Sequence, residues 1–279
     1  MELLFIHWNP NEIICHLGPL ALRWYSTLWL IGLLAAYFCA QYLYKKHGKS
    51  SKDFEPLFLY CFVGILAGAR LGHCLFYQPD YFLSSGTHII EMFLPIRKFA
   101  DGSWHFIGYE GLASHGGTIG LILGLLLYCM KHKMSKLFVL DVVALSTPLT
   151  AFCIRMGNLM NSEIIGKVTD VPWAFIFEQV DMQPRHPGQL YEAIAYLLFF
   201  PLMWGIWRKR KDLVGTGFYF GLCLVLIFTF RFFIEYTKEI QEAFEAGMPF
   251  DMGQLLSIPF IILGAYFMRR GMKTSKNIA

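Results

Sequence analysis

Seven stretches of this chain stay apolar for about 17–25 residues, the length a helix needs to cross a bilayer. They run Trp24–Leu43, Leu57–Phe76, Leu112–Met130, Phe138–Leu159, Leu190–Trp207, Gly215–Ile234 and Met252–Met268. In hydrocarbon a backbone must satisfy its own hydrogen bonds, so stretches of this kind fold as helices. The predicted fold class is an all-α polytopic membrane protein of about seven transmembrane helices, the last the shortest. Composition agrees, with 56% hydrophobic and 16% charged residues and a mean hydropathy of +0.46. A soluble globular chain carries roughly 25% charged residues.

Basic residues orient the set. Lys45, Lys46, Lys49 and Lys52 follow the first stretch, and Lys131, Lys133 and Lys136 follow the third. Arg208, Lys209, Arg210 and Lys211 follow the fifth, while Arg269, Arg270, Lys273 and Lys276 follow the last. With seven spans these clusters all fall on one side, which the positive-inside rule makes cytoplasmic. The N-terminus is therefore expected outside and the C-terminus inside. The net charge of +4 reflects that asymmetry, and no nucleic-acid partner is expected. The first nineteen residues contain Glu2 and Glu12 but no Lys or Arg, so the expectation is an uncleaved outer segment rather than a signal peptide.

The seven cysteines show no CxxC spacing and lie mostly in apolar stretches, which predicts packing rather than a metal or disulfide framework. The expected organisation is one integral-membrane catalytic domain over 1–279, with an outer head segment at 160–189. Of the two long outer segments, Tyr77–Gly111 and Met160–Gln189, the second is expected to hold a short strand or hairpin around Val171–Phe177.

Once the stretches have a direction, each unusual polar residue has a depth. Tyr25 lies at the outer end of the first span, Arg70 about two turns before the outer end of the second, and His115 at the outer edge of the third. The fourth delivers Arg155 and Asn158, just before Asn161, Glu163 and Gly166; His186 precedes the fifth; Arg231 and Glu235 close the sixth. Each has a structural explanation when taken alone. Arg231 and Glu235 are spaced as an i,i+4 ion pair, Arg70 can snorkel, Tyr25 fits an interfacial aromatic belt, and a lone histidine is commonly a core residue. A purely structural account still has to explain why these groups avoid the inner leaflet, since intramembrane charge is expensive and usually functional. Three arginines at one level imply an anionic ligand, because guanidinium forks match phosphate. Lipid phosphates lie at that level.

The pieces, taken in order, resemble a known family. RMGNLMNSEIIG (Arg155–Gly166) resembles the signature of the bacterial prolipoprotein diacylglyceryl transferase family. SHGGTIG (Ser114–Gly120), RHPGQLYEA (Arg185–Ala193), RFFIE (Arg231–Glu235), RWYS (Arg23–Ser26) and GARLGH (Gly68–His73) resemble its other motifs. The resemblance runs along nearly the whole chain. It implies an enzyme of the bacterial inner membrane with its site toward the outer leaflet, which moves the diacylglyceryl group of phosphatidylglycerol onto the lipobox cysteine of a prolipoprotein signal peptide. Glycerol 1-phosphate leaves, and no cofactor or metal takes part.

Carried over residue by residue, the resemblance makes Arg155 a phosphatidylglycerol ligand and His115, Arg231, Tyr25, Asn158, Glu163, Gly166 and His186 members of the active site. Asn161 and Arg70 join Arg155, Asn158, Arg231 and Gly166 as expected phospholipid-binding residues. His115 is the expected proton acceptor, with His186 the alternative, and Glu163 is expected to hold an arginine or histidine. This chain departs from the family pattern at Ile227, Leu159 and Ser162, and its Thr237–Gly253 segment is long and acidic for an outer loop. Two further classes are compatible with an arginine cluster. A lipid or anion transporter predicts polar residues continuing to the inner leaflet, and none are found; a lipid-binding scaffold needs no histidine base.

Overall fold

The computed structural model describes residues 5–18, 20–99, 101–106, 111–239 and 250–276. Strands β1 (Ile6–Trp8), β2 (Ile13–Leu17) and β3 (Leu20–Arg23) lead into α1 (Trp24–Lys46). Helix α2 (Ser51–Gly72) ends in a π-turn, His73–Tyr77, followed by α3 (Pro79–Phe82), α4 (Gly86–Phe93), the hairpin β4 (Ile96–Lys98) and β5 (Trp104–Phe106), and α5 (Ser114–Lys131). The remainder is α6 (Lys136–Met160), β6 (Phe175–Phe177), β7 (Pro184–Arg185), α7 (Gly188–Lys209), α8 (Phe218–Ile234) and α9 (Met252–Lys276).

Among the described residues six helices are long and apolar enough to cross a membrane, namely α1, α2 with its π-turn, α6, α7, α8 with the turn after it, and α9; α5 is a shorter apolar helix. These match the seven apolar stretches one for one, so the chain is an all-α polytopic membrane protein. The lengths correct one expectation: α9 is not the shortest but runs 25 residues. Lys and Arg are good helix formers, and their long stems let the charged heads leave the apolar zone while the backbone continues helical. Helix α2 likewise begins earlier than hydropathy predicts. Ser50 accepts a hydrogen bond from the Asp53 N–H, and the Asp53 carboxylate accepts from the Ser50 N–H, closing a capping box before the apolar run starts.

The chain divides into two compact units, Tyr44–Val139 and the combination of Met1–Leu43 with Leu140–Ala279. In the first unit α2 crosses α5 at glycines. A β-carbon on Gly64 would lie 2.5 Å from the Gly120 carbonyl oxygen, so the two backbones touch directly. In the second unit α8 and α9 meet in the same way, with a β-carbon on Gly221 falling 2.5 Å from the Gly264 carbonyl oxygen. Thr150 of α6 donates to the Gly32 carbonyl of α1 at 3.0 Å, next to Cys153. All seven cysteines are unbridged and five are buried, as packing residues should be.

The 160–189 segment holds the expected hairpin. Phe175 pairs with Arg185 and Ile176 with Pro184, antiparallel. Strand β1 adds a parallel edge that sequence did not predict, pairing Ile6 with Phe175 and Trp8 with Phe177. Phe175, Phe177 and Leu159 form a buried cluster beneath it, flanked by Trp8, Met156, Ile165 and Leu190. Most of the acidic Thr237–Gly253 segment lies outside the described residues.

Candidate active site

The last two turns of α6 carry Arg155 and Asn158 on one face, three residues apart. Arg155 donates through Nη1 to the Asn158 side-chain oxygen at 3.1 Å. The Asn158 amide in turn donates to the Glu163 carboxylate at 3.0 Å, and Asn161 donates to its other oxygen at 3.0 Å. Ser162 and Ile164 take positive φ angles of 52° and 56°, which folds the chain back so that Glu163 faces the helix end it follows. Glu163 was expected to hold an arginine or histidine. It holds Asn158 and Asn161, and Asn158 is what touches Arg155. Trp8 donates to the Leu159 carbonyl at 2.9 Å, satisfying an acceptor at the C-terminus of α6.

Tyr25, at the start of α1, packs over Gly157. A β-carbon on Gly157 would come within 2.9 Å of the Tyr25 ring, so glycine is what lets the tyrosine approach the arginine turn. Gly166 donates its N–H to the His186 carbonyl at 2.9 Å and forms a bridge with Lys238. The His186 ring meets the Tyr191 hydroxyl at 3.1 Å, and that hydroxyl accepts from Trp173 at 2.8 Å. Burial pulls the His186 imidazole below its ordinary value, which keeps it neutral at pH 7.

Arg231, in the last turn of α8, lies 3.9 Å from Glu235, so the i,i+4 pair is present but loose. Three further charged residues complete this region, and the sequence reading did not single them out. Glu192 is fully buried in the second turn of α7, with one oxygen 2.7 Å from Arg155 Nε and the other 3.2 Å from Lys238 Nζ. Lys238, buried in the described segment after α8, also lies 2.9 Å from Glu235. Arg231, Glu235, Lys238, Glu192, Arg155, Asn158 and Glu163 thus form one unbroken polar chain. Arg185 is also buried. It grips Asp181 and Glu239 and donates to the Gly166 carbonyl, tying the hairpin to the glycine turn. A signal for Glu192 did exist: it is an acidic residue inside an apolar stretch, which is a functional hypothesis by default.

His115 and Arg70 belong to the unit Tyr44–Val139. His115 is exposed in the first turn of α5, beside the glycine crossing with α2. Arg70 is buried; it donates to the carbonyls of Met92 at 3.2 Å and Glu91 at 2.8 Å, and its guanidinium lies 4.9 Å over the Phe82 ring. Those bonds fix α4 to the end of α2.

A network of this kind offers guanidinium groups to an anion at the ends of apolar helices, with amides and backbone beside it. Comparison with known proteins agrees with that chemistry. The family model described as prolipoprotein diacylglyceryl transferase matches residues 12–270. A protein of Bacteroides fragilis named phosphatidylglycerol–prolipoprotein diacylglyceryl transferase is 57% identical, over 95% of each chain. Relatives of the same name from Tolumonas auensis and Chloroherpeton thalassium are 43% and 37% identical, covering 94% and 98% of this chain and 96% of each relative. The chain belongs to the prolipoprotein diacylglyceryl transferase family.

Proposed function

We propose that this chain transfers the diacylglyceryl group of phosphatidylglycerol to the lipobox cysteine of a prolipoprotein, the first step of lipoprotein maturation. The observation that carries the reading is the continuous polar network, buried at Glu192 and Lys238, that joins Arg155 to Arg231. The relatives' shared name supplies the two substrates. The site faces the outer leaflet of the bacterial inner membrane. This orientation is supported by the basic residues in the last turns of α1, α5, α7 and α9, opposite in direction to the end of α6 that carries Arg155. The chain acts as one catalytic domain over 1–279, with 160–189 as its outer head.

The reaction is a displacement at carbon. The cysteine sulfur forms a bond to the glyceryl carbon, the bond from that carbon to the phosphate oxygen breaks, and its electron pair leaves with glycerol 1-phosphate. A free thiol has a pKa of about 8.5, so the site must take the proton; His115 accepts it. Arg155 and Arg231 hold the phosphate and stabilise the charge that grows on it as the bond breaks. Asn158 and Tyr25 orient the lipid, and Asn161 and Gly166 line the same turn. Arg70, at the end of α2, is a further phospholipid-binding residue, and Glu163 sets the direction of both asparagine amides. His186 is a weaker candidate base, because burial already disfavours its protonated form.

The test is an assay with purified protein, phosphatidylglycerol and a lipobox peptide, following glycerol phosphate release and the mass of the peptide. Stoichiometric release with a diacylglyceryl mass gain is expected. Lipid movement without a thioether identifies a transporter, and lipid binding without turnover a scaffold; either result sinks the reading. Near-normal transfer by His115→Gln contradicts the base assignment alone.

A further inference from the structure

We propose that Glu192 and Lys238 are positioning residues that couple Arg155 to Arg231, so that the two arginines act as one phosphate clamp. This rests on the reading of Arg155 and Arg231 as phosphate ligands. Glu192 is 0% exposed and touches two cations at once, Arg155 Nε at 2.7 Å and Lys238 Nζ at 3.2 Å. A buried carboxylate needs such partners to remain ionised. Tyr196, one turn further along α7, donates to the same carboxylate at 3.5 Å.

The geometry divides the work. Glu192 pairs with Arg155 at Nε as a close ion pair and Asn158 accepts a hydrogen bond from its Nη1, which restrains the guanidinium from two sides. An arginine side chain held in this way has already lost the rotamer freedom it would otherwise lose on binding. Glu192 alone would also cancel the charge it positions. Lys238 shares the carboxylate and restores positive charge next to the phosphate site. Lys238 reaches 2.9 Å to Glu235, whose other oxygen is 3.9 Å from Arg231 Nη2. The Arg231–Glu235 contact is the loosest link, and the Arg231 side chain is 39% exposed. An arriving phosphate can therefore replace Glu235 at Arg231 while Lys238 retains Glu235. Arg155 lies on the tight side of the network and Arg231 on the open side, with Glu192 and Lys238 between them.

The experiment measures kcat and KM per folded enzyme, with size-exclusion profile and Tm as the folding check, for Glu192→Gln, Lys238→Met, the double variant and Lys238→Arg. Misplacing a clamping group by about 1 Å costs on the order of 100-fold in rate. The expected result is a kcat loss of that order for Glu192→Gln with KM changed only a few-fold, and recovery of most of the rate in Lys238→Arg relative to Lys238→Met. The double variant should lose no more than the worse single. Unchanged kcat in well-folded Glu192→Gln overturns the proposal, and so do losses that multiply in the double variant. Should Glu192→Gln fail to fold, Glu192→Asp keeps the charge and shortens its reach, and it must show the same kcat loss. Arg155→Lys separates the two levels. Full activity there removes the clamp reading itself, whereas loss there together with normal Glu192→Gln removes only the coupling.

Discussion

Gly166 and His186 approach so closely that a β-carbon on the glycine would lie 2.6 Å from the His186 β-carbon, and equally close to the Thr237 carbonyl oxygen. The glycine sits where the turn after α6, the approach to α7 and the segment after α8 touch. Real β-carbons do not occupy such a space, so Gly166→Ala must push at least one of the three away. The displaced segment carries Glu163, His186 or Lys238, and all three belong to the site. Overpacking of this kind costs about 1–3 kcal/mol. Gly166→Ala should lower Tm and reduce transfer by more than its folded fraction accounts for. Activity that tracks folded protein one for one would limit the glycine to a packing role.

Arg185 anchors the hairpin to that junction through Asp181, Glu239 and the Gly166 carbonyl. Removing a charged donor from a buried position costs about 1.5–3 kcal/mol, and Arg185→Met should destabilise by that order. The Arg185 guanidinium holds the Asp181 carboxyl below the ordinary carboxylate range. A depressed carboxyl contributes stability above its unfolded value and loses it as pH falls through the folded one. The Tm gap between the parent protein and Arg185→Met should therefore be constant from pH 7 to about 4 and shrink below that. A gap that closes between pH 6 and 7 instead would show that a histidine, not Asp181, controls this anchor.

The parts of this fold that could be read from sequence are those whose causes are local. Seven apolar stretches became seven helices because length and hydropathy alone decide spanning helices. Their ends moved where other local signals took over, the Ser50–Asp53 box starting α2 and the basic tail extending α9. Arg155, Asn158 and Glu163 were legible as a group because nine residues contain them. Glu192 and Lys238 were not, since a lysine after one helix and a glutamate early in another have no reason in sequence to meet. The parallel pairing of Ile6–Trp8 with Phe175–Phe177 escaped for the same reason: strands of three residues carry no periodicity, and their partner lies far along the chain.

Asp141, in the second turn of α6, is fully buried and accepts N–H bonds from Gly215, Gly217 and Phe220 at 2.9 Å each. It serves as the N-terminal cap of α8 from a neighbouring helix, since Gly217 itself has no side chain to offer. Asp141→Asn keeps the shape but replaces one acceptor oxygen with a donor facing N–H groups. The expected cost is about 1–3 kcal/mol of stability. Arg155 lies fourteen residues further along α6, about 21 Å at 1.5 Å per residue, so catalysis per folded molecule should not change. A selective fall in kcat with unchanged Tm would contradict a capping role.

His186 offers the sharpest pH test. Trp173 Nε1 donates to the Tyr191 hydroxyl oxygen at 2.8 Å, which leaves the hydroxyl proton available for His186 Nδ1 at 3.1 Å. That arrangement makes Nδ1 an acceptor and puts the ring proton on Nε2. Burial lowers the imidazole pKa from its ordinary 6.5, in agreement with a neutral ring. The sign follows from linkage. Between 6.5 and the lower folded value the unfolded chain binds the extra proton, so the junction around His186 loses stability as pH falls through that window and is fully stable above it. Ring-nitrogen NMR of labelled protein in micelles, with His186→Gln to assign the signal, should find a neutral Nε2–H imidazole at pH 7 titrating below 6.5. A midpoint above 6.5 would mean that a carboxylate, not burial, governs the ring, and would restore His186 as a competitor to His115 for the thiol proton.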